Sequence, residues 1–259
     1  MEGFRKDIIY TEKGLPVETS VEETLRETKE RAAIVLRKLR NKIEAGEFQI
    51  VLGIDASGRV PAFMLGKAIQ YKHPISIRFI AGTRHLRRED ANSELEKLTE
   101  HFSSKDFEGK KVLIVDDVID KGSSLQLLCK ALLKSKVDYE IAALAVIKRP
   151  ISEDSPNSAD PDLHFHAKKA ELEKTLGGNI TYADTDIPLI YGKKQMSGVA
   201  KGQSIFGTPL EKEVLRYKST IPSYGEEIAP PKQNRDVLTY TRKRTEEIAK
   251  ELAQEMGWV

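Results

Sequence analysis

The densest run of chemically capable residues is KVLIVDDVIDKGSSL, Lys111 to Leu125. An apolar stretch ends in two adjacent carboxylates, Asp116 and Asp117. Asp120 follows three residues later, and Gly122, Ser123 and Ser124 then open an apolar helical pattern. A glycine turn entering a helix aims backbone N–H groups at an anion, and the helix dipole favours negative charge there. The N–H groups of residues 121–124 and the two serine hydroxyls therefore form a candidate phosphate cradle. Gly122 permits a close approach or a positive φ. The upstream carboxylates repel phosphate, so Asp116 and Asp117 need another partner: sugar hydroxyls, Mg²⁺, or both. A phosphate at one end and a diol close by describe a ribose 5-phosphate. The P-loop spacing and the G-x-G-x-x-G fingerprint are both absent from this stretch.

These residues need a frame, and the hydrophobic periodicity supplies one. Residues 20–45 read as a long helix, with Ser20 and Glu23 as a capping box and Val21, Leu25, Ala32, Val35, Leu36, Leu39 and Ile43 on one face. The period then shortens: strands are expected at 48–54, 75–80, 111–116 and 140–147, and helices at 60–71 and 124–135. A short helix is also expected within 92–102. Nearly all-apolar strands alternating with helices imply a parallel sheet covered on both faces. In such sheets ligands bind outside the carboxyl ends of the strands. The turns at 55–59 and 116–123 both fall at that edge. Beyond Arg149 the pattern weakens into a Pro/Ser/Asp-rich loop, with short strands expected in LHFHA and NITYADTDIPLIY. The last 20 residues return to helix through Leu238, Thr241, Thr245, Ile248, Leu252 and Met256.

VLIVDDVIDKGSSL resembles the phosphoribosyl-pyrophosphate (PRPP) binding motif of type I phosphoribosyltransferases, the purine salvage enzymes most of all. That motif is four hydrophobic residues, two acids, two hydrophobic residues and a small-residue phosphate loop. A second match is VLGIDASGRVPAFMLGKAI, residues 51–69, which is similar to the family's pyrophosphate loop and following helix. A third is AVIKRP, which sets Lys148 where the 6-oxopurine enzymes use a lysine to contact the exocyclic oxygen of the base. The phosphate loop departs from the common Thr-Gly by carrying Lys121-Gly122. Asp55 suits adenine-type relatives while Asp120 and Lys148 suit the 6-oxopurine type, so the residues leave the base open.

The resemblance implies an α/β fold, with a parallel sheet flanked by helices, a variable hood and extra terminal helices. It divides the chain into an N-terminal helical segment (1–47), a PRPP-binding core (48–150) and a hood or C-terminal extension packed on the core (151–259). The implied activity is Mg²⁺-dependent transfer of the 5-phosphoribosyl group of PRPP to a nucleobase, purine favoured, with release of pyrophosphate. Asp116 and Asp117 would bind the ribose hydroxyls, directly or through Mg²⁺. Asp120, Lys121, Gly122, Ser123 and Ser124 would bind the 5-phosphate. Ala56, Ser57, Gly58, Arg59 and Arg84 would take the pyrophosphate, Lys148 the base, and Asp120 would act as general base. Residues 82–106 stand where the family has its mobile loop, and a homodimer is implied on the same ground. The alternative is a non-catalytic PRPP- or nucleotide-sensing regulator on the same fold.

Each functional reading has a plainer rival. The rival reading of the acid pair is solvated loop residues, of Asp120 a helix N-cap, of Arg59 a surface residue, and of Arg84, Arg87 and Arg88 a charged face. His164 and His166 would share one side of a strand, but no third ligand lies near them. Tyr182, Tyr191 and Phe206 read as core or as base-stacking rings. Cys129, the only cysteine, sits in an apolar helix and reads as packing. A net charge of +2, from 42 basic against 40 acidic residues, argues against a polyanion partner. No apolar run approaches the roughly 18–20 residues needed to span a bilayer, and no signal core opens the chain. A cytoplasmic protein without a membrane or nucleic-acid partner is the expectation.

Overall fold

The structure is a computed structural model that describes residues 21–55, 58–81, 88–119, 122, 125–146, 170–183 and 231–259. Its centre is a five-stranded, all-parallel sheet: β1 (Ile50–Asp55), β2 (Ser76–Ala81), β3 (Val112–Ile119), β4 (Tyr139–Val146) and β5 (Ile180–Tyr182). The spatial order is β2-β1-β3-β4-β5, so β1 and β3, the strands that carry both candidate loops, are neighbours. The helices are α1 (Val21–Glu44), α2 (Arg59–Gln70), α3 (Arg88–Phe102), α4 (Gln126–Lys134), α5 (170–176) and α6 (Pro231–Glu255). The periodicity locates α1, α2, α4, β1, β2 and β4 to within two residues, whereas β3 runs three residues past its expected end, α3 starts four residues early, α6 starts nine residues before the expected terminal helix, and α5 lies where no element is expected.

Strand alternation divides the core. Val51, Phe79, Leu113, Val115 and Leu144 pack on one face of the sheet against α1, α2 and α6. Leu52, Ile80, Ile114, Ile141 and Ala143 pack on the other, against Leu98 and Phe102 of α3 and Leu128 and Leu132 of α4. Both faces are dry, which is why the strands read as unbroken apolar runs. The terminal helices thus belong to the same core as the sheet. On α6 the positions at three- and four-residue steps, Thr241, Thr245, Ile248, Leu252 and Met256, are all buried. The capping box proposed at Ser20 lies outside the described residues.

Helix α3 starts at Arg88, earlier than the periodicity implies, and buries Leu98 and Phe102 in the core. Residues 82–106 are therefore not one loop. Leu95, Leu98 and Phe102 recur at helical spacing, and that apolar stripe docks the segment on α4.

Helices α1 and α6 run in the same direction. Tyr240 donates to Glu22 near one end, Lys29 bonds Glu251 at 2.9 Å midway, and Trp258 Nε1 donates to Glu44 at 3.1 Å near the other. Against β4, α1 is antiparallel. Lys42 meets Glu140 at the strand's start, 2.7 Å away, and Arg31 reaches the Leu144 carbonyl near its end, at 3.2 Å. A helix of 24 residues is about 36 Å long, whereas an eight-residue strand spans about 26 Å. The first turns of α1 therefore stand beyond the carboxyl end of β4, on the side where the candidate loops emerge.

The opposite edge is closed by a charge network. Glu140 is buried and accepts from Lys42 and from Lys111, which also bonds Glu47, each at 2.7 Å. Burial alone would raise the Glu140 carboxyl, but the hydrogen bonds from Lys111 and Lys42 outweigh it and hold the group below its usual value. A depressed carboxyl stabilises the fold above its unfolded pKa, about 4.3, and that contribution is lost as pH falls through the folded value. Glu140→Gln should therefore lower the unfolding free energy at pH 7 by about 1–2 kcal/mol, discounted because both lysines are partly solvated. Urea denaturation should show the gap between wild type and variant closing as the pH drops below about 4.

Candidate functional site

The site starts from two neighbouring parallel strands whose exit turns emerge at the same edge. Paired through Ile50–Val112 to Gly53–Val115, β1 and β3 bring the segment after β1 against the acidic end of β3. Gly58 is the point of contact. A Cβ there would lie 2.7 Å from the Ile54 carbonyl oxygen and 2.7 Å from the Val115 carbonyl oxygen. Both obstacles are backbone, so no side-chain adjustment relieves them. The Gly58 N–H donates to the Ile54 carbonyl at 2.9 Å, and its own carbonyl accepts from Ala62, closing the first turn of α2.

Val115, which Gly58 touches, directly precedes the acid pair. The strand was expected to end at residue 116, but β3 continues to Ile119 because Asp116, Val118 and Ile119 pair with Ala143, Ala145 and Val146 of β4. The β-branched Val118 and Ile119 suit that extension. The two acids thus lie within the strand, and alternation turns their side chains to opposite faces. Asp116 is 4% exposed while Asp117 is half-buried. Each carboxylate accepts from the next backbone N–H: Asp117 N–H to Asp116 Oδ1 and Val118 N–H to Asp117 Oδ1, both at 2.9 Å. These bonds fix the carboxylates in orientation.

The turn after β3 contains Gly122 at φ +69°, the left-handed region that costs an L side chain about 1–2 kcal/mol. Its carbonyl accepts from the N–H groups of Leu125 and Gln126 as α4 begins. Behind it stands α5, because a Cβ on Gly122 would meet Leu172 and Leu176 at 3.3–3.4 Å. Tyr139 at the start of β4 donates to the Leu176 carbonyl, which ties α5 to the sheet.

Arg59 opens α2 immediately after Gly58. It is fully buried, against the reading of a surface residue, and its guanidinium lies 6.0 Å from the centre of the Phe79 ring. Its positive charge is therefore held beneath the turn. Tyr182 ends β5, half-buried, with the Lys38 ammonium 4.9 Å from its ring centre and bonded to its carbonyl at 3.0 Å. Cys129 is buried on α4, and burial pushes its thiol up to about 12 despite an opposing hydrogen bond with Tyr139. Such a thiol is protonated and unreactive at neutral pH. Ala56, Ser57, Arg84, Asp120, Lys121, Ser123, Ser124 and Lys148 lie outside the described residues, as do His164, His166, Tyr191 and Phe206.

Among the described residues no three His, Cys, Asp or Glu side chains converge as a metal cage, and no helix is long and apolar enough to cross a membrane. An Asp pair of hard carboxylate oxygens nonetheless fits Mg²⁺, which commonly takes only one or two protein carboxylates and fills its remaining positions with water and substrate phosphate.

The sequence pattern of the phosphoribosyl transferase domain matches residues 22–164, more than half of the chain, and the protein belongs to that family. The match takes in α1 from its second residue and strands β1 to β4. Solved structures of similar shape include adenine phosphoribosyltransferase from Saccharomyces cerevisiae, 12% identical, with a TM-score of 0.37 over 63% of this chain and 78% of that one. Another is a purine phosphoribosyltransferase from Pyrococcus horikoshii, 17% identical, with a TM-score of 0.34 over 71% and 98%. No curated protein matches by sequence.

The geometry at Gly58 makes a specific demand. Gly58→Ala should push the turn away from β3 and, on the PRPP-binding reading proposed below, weaken PRPP binding by about tenfold or more while circular dichroism stays unchanged. Isothermal titration with PRPP and Mg²⁺ measures it.

Proposed function

We propose that this phosphoribosyltransferase moves the 5-phosphoribosyl group of PRPP to a nucleobase, a purine by preference, and releases pyrophosphate. The observation that supports this most directly is the contact of Gly58 with Val115, which brings a small-residue turn beside Asp116 and Asp117 at one sheet edge. In this reading the ribose 2- and 3-hydroxyls fall to the acid pair, the half-buried Asp117 directly and the buried Asp116, on the other face of β3, through the strand end it braces by accepting from the Asp117 N–H, while N–H groups of 121–124 with Ser123 and Ser124 hold the 5-phosphate. Amides of Ala56 and Ser57 take the pyrophosphate, beside a Gly58 whose own N–H is donated to Ile54, with Arg84 contributing a contact and Arg59 lending positive charge from behind. Lys148 faces the base, and the part of 151–259 outside α5, β5 and α6 serves as a hood over it.

A ring nitrogen of the base attacks C1 as the C1–pyrophosphate bond breaks, with inversion at carbon. Positive charge grows on the ribose while negative charge grows on the leaving oxygens, so the placed carboxylates and amides stabilise the transition state more than the ground state. Asp120 takes the proton released from the ring nitrogen. Asp116 or Asp117 would hold Mg²⁺ together with substrate oxygens, and bound Mg²⁺ would neutralise charge on the departing pyrophosphate.

The direct test is pyrophosphate release from PRPP and Mg²⁺ with adenine, hypoxanthine, guanine, xanthine, uracil and orotate. Turnover with a purine is expected; tight PRPP binding without turnover on any base would instead favour a sensor. Asp120→Asn should lower kcat by about 10²–10⁴ and leave the PRPP Kd near the wild-type value. Unchanged kcat with every accepted base would remove Asp120 from the chemistry.

A further inference from the structure

Two charges are buried on the apolar face of α1. Glu27 and Arg31, one turn apart, are 4% and 3% exposed beside Leu25, Ala32 and Val35. They pair at 3.1 Å, and Arg31 Nη1 also donates to the Leu144 carbonyl of β4 at 3.2 Å. Strand β5 reaches only as far as Tyr182, opposite Ala143. Beyond that rung, β4 keeps only β3 as a strand neighbour among the described residues, through Val118–Ala145 and Ile119–Val146. Arg31 therefore grips β4 from the helix side at the level where one of its two neighbouring strands ends. Its planar fork allows it to hold Glu27 and a carbonyl together, which a lysine does less well. A buried ion pair adds little net stability compared with apolar side chains of the same volume, so this pair is better explained by the geometry it imposes. Lys148 follows β4 by two residues.

We propose that Arg31, oriented by Glu27, is a positioning residue that fixes the carboxyl end of β4 and through it Lys148. It thereby sets affinity for the acceptor base rather than for PRPP, and this rests on the base-binding role proposed for Lys148. The test compares wild type with the volume-matched double variant Glu27→Leu/Arg31→Met, which removes both charges together and frees the Leu144 carbonyl. Steady-state kinetics gives KM for each substrate, and native-state hydrogen exchange follows residues 144–149. The KM for the base should rise about tenfold or more, the scale of a lost charge-assisted hydrogen bond, with the KM for PRPP within about twofold. Exchange over 144–149 should quicken by about tenfold or more while the melting temperature holds. An unchanged base KM in the folded double variant, or equal rises in both KM values, overturns the proposal. Should the double variant fail to fold, Arg31→Lys carries the same comparison. A wild type inactive on every base would instead sink the transfer reading itself; exchange at 144–149 then decides the positioning role, with unchanged rates overturning it.

Discussion

Strands β1 and β3 lie side by side and point the same way, so the turns leaving them share one strip of space above the sheet. A Cβ at residue 58 would collide with carbonyl oxygens of both strands, so that strip has no room for any side chain there. The constraint concerns backbone packing, and its consequence is chemical: it brings the start of α2, the positive end of the helix dipole, beside two carboxylates. Opposite electrostatic preferences thus sit next to each other. The helix ends favour anions and the acids favour hydroxyls or a cation, and a phosphorylated sugar satisfies both.

The terminal helices extend the same logic to the third dimension. Alone, the parallel sheet would expose the face carrying Val51, Phe79 and Leu144. Helices α1 and α6 cover that face together with α2, and α1 outruns the strands it covers, so the surplus rises past the carboxyl edge. The buried Thr28, Thr241 and Thr245 occur in this upper region, near Glu27 and Arg31 in the sequence of α1 or one turn apart on α6. Thr245 bonds back to the Thr241 carbonyl at 2.6 Å, a local solution for a hydroxyl in a dry interface.

Much of this was legible in the sequence because the signals were physical. The strands are apolar on both faces since helices cover both sides, and the period changes sharply from 3.6 to 2 at Gly46–Phe48. The candidate site stands out in the sequence for a related reason: acids at the end of an apolar run and before a glycine turn have few structural uses. The misreadings also have causes. Asp116 and Asp117 suggested the end of β3 because acids rarely continue strands, yet pairing with β4 carries the strand past them. The charged residues 88–97 hid the helix whose buried stripe begins only with Leu95 and Leu98. Arg59 resembled a surface residue because burial of a guanidinium cannot be inferred from its neighbours in sequence, only from the Phe79 ring that β2 brings over it.

Glu27 and Arg31 escaped notice for the opposite reason. An i,i+4 pair of Glu and Arg on a long helix reads as ordinary solvent-exposed support, and only the depth of α1 against β4 turns it into a buried clamp. The distinction has a general consequence for this sheet. A charge at an exposed helix position is interchangeable with many others, whereas a guanidinium held between a carboxylate and a strand carbonyl has one geometry that satisfies it. Substitutions that preserve charge along α1 are therefore not equivalent. At Arg37 or Arg40 they change a solvated face, while at Arg31 they alter how firmly the last rungs of β4 are held.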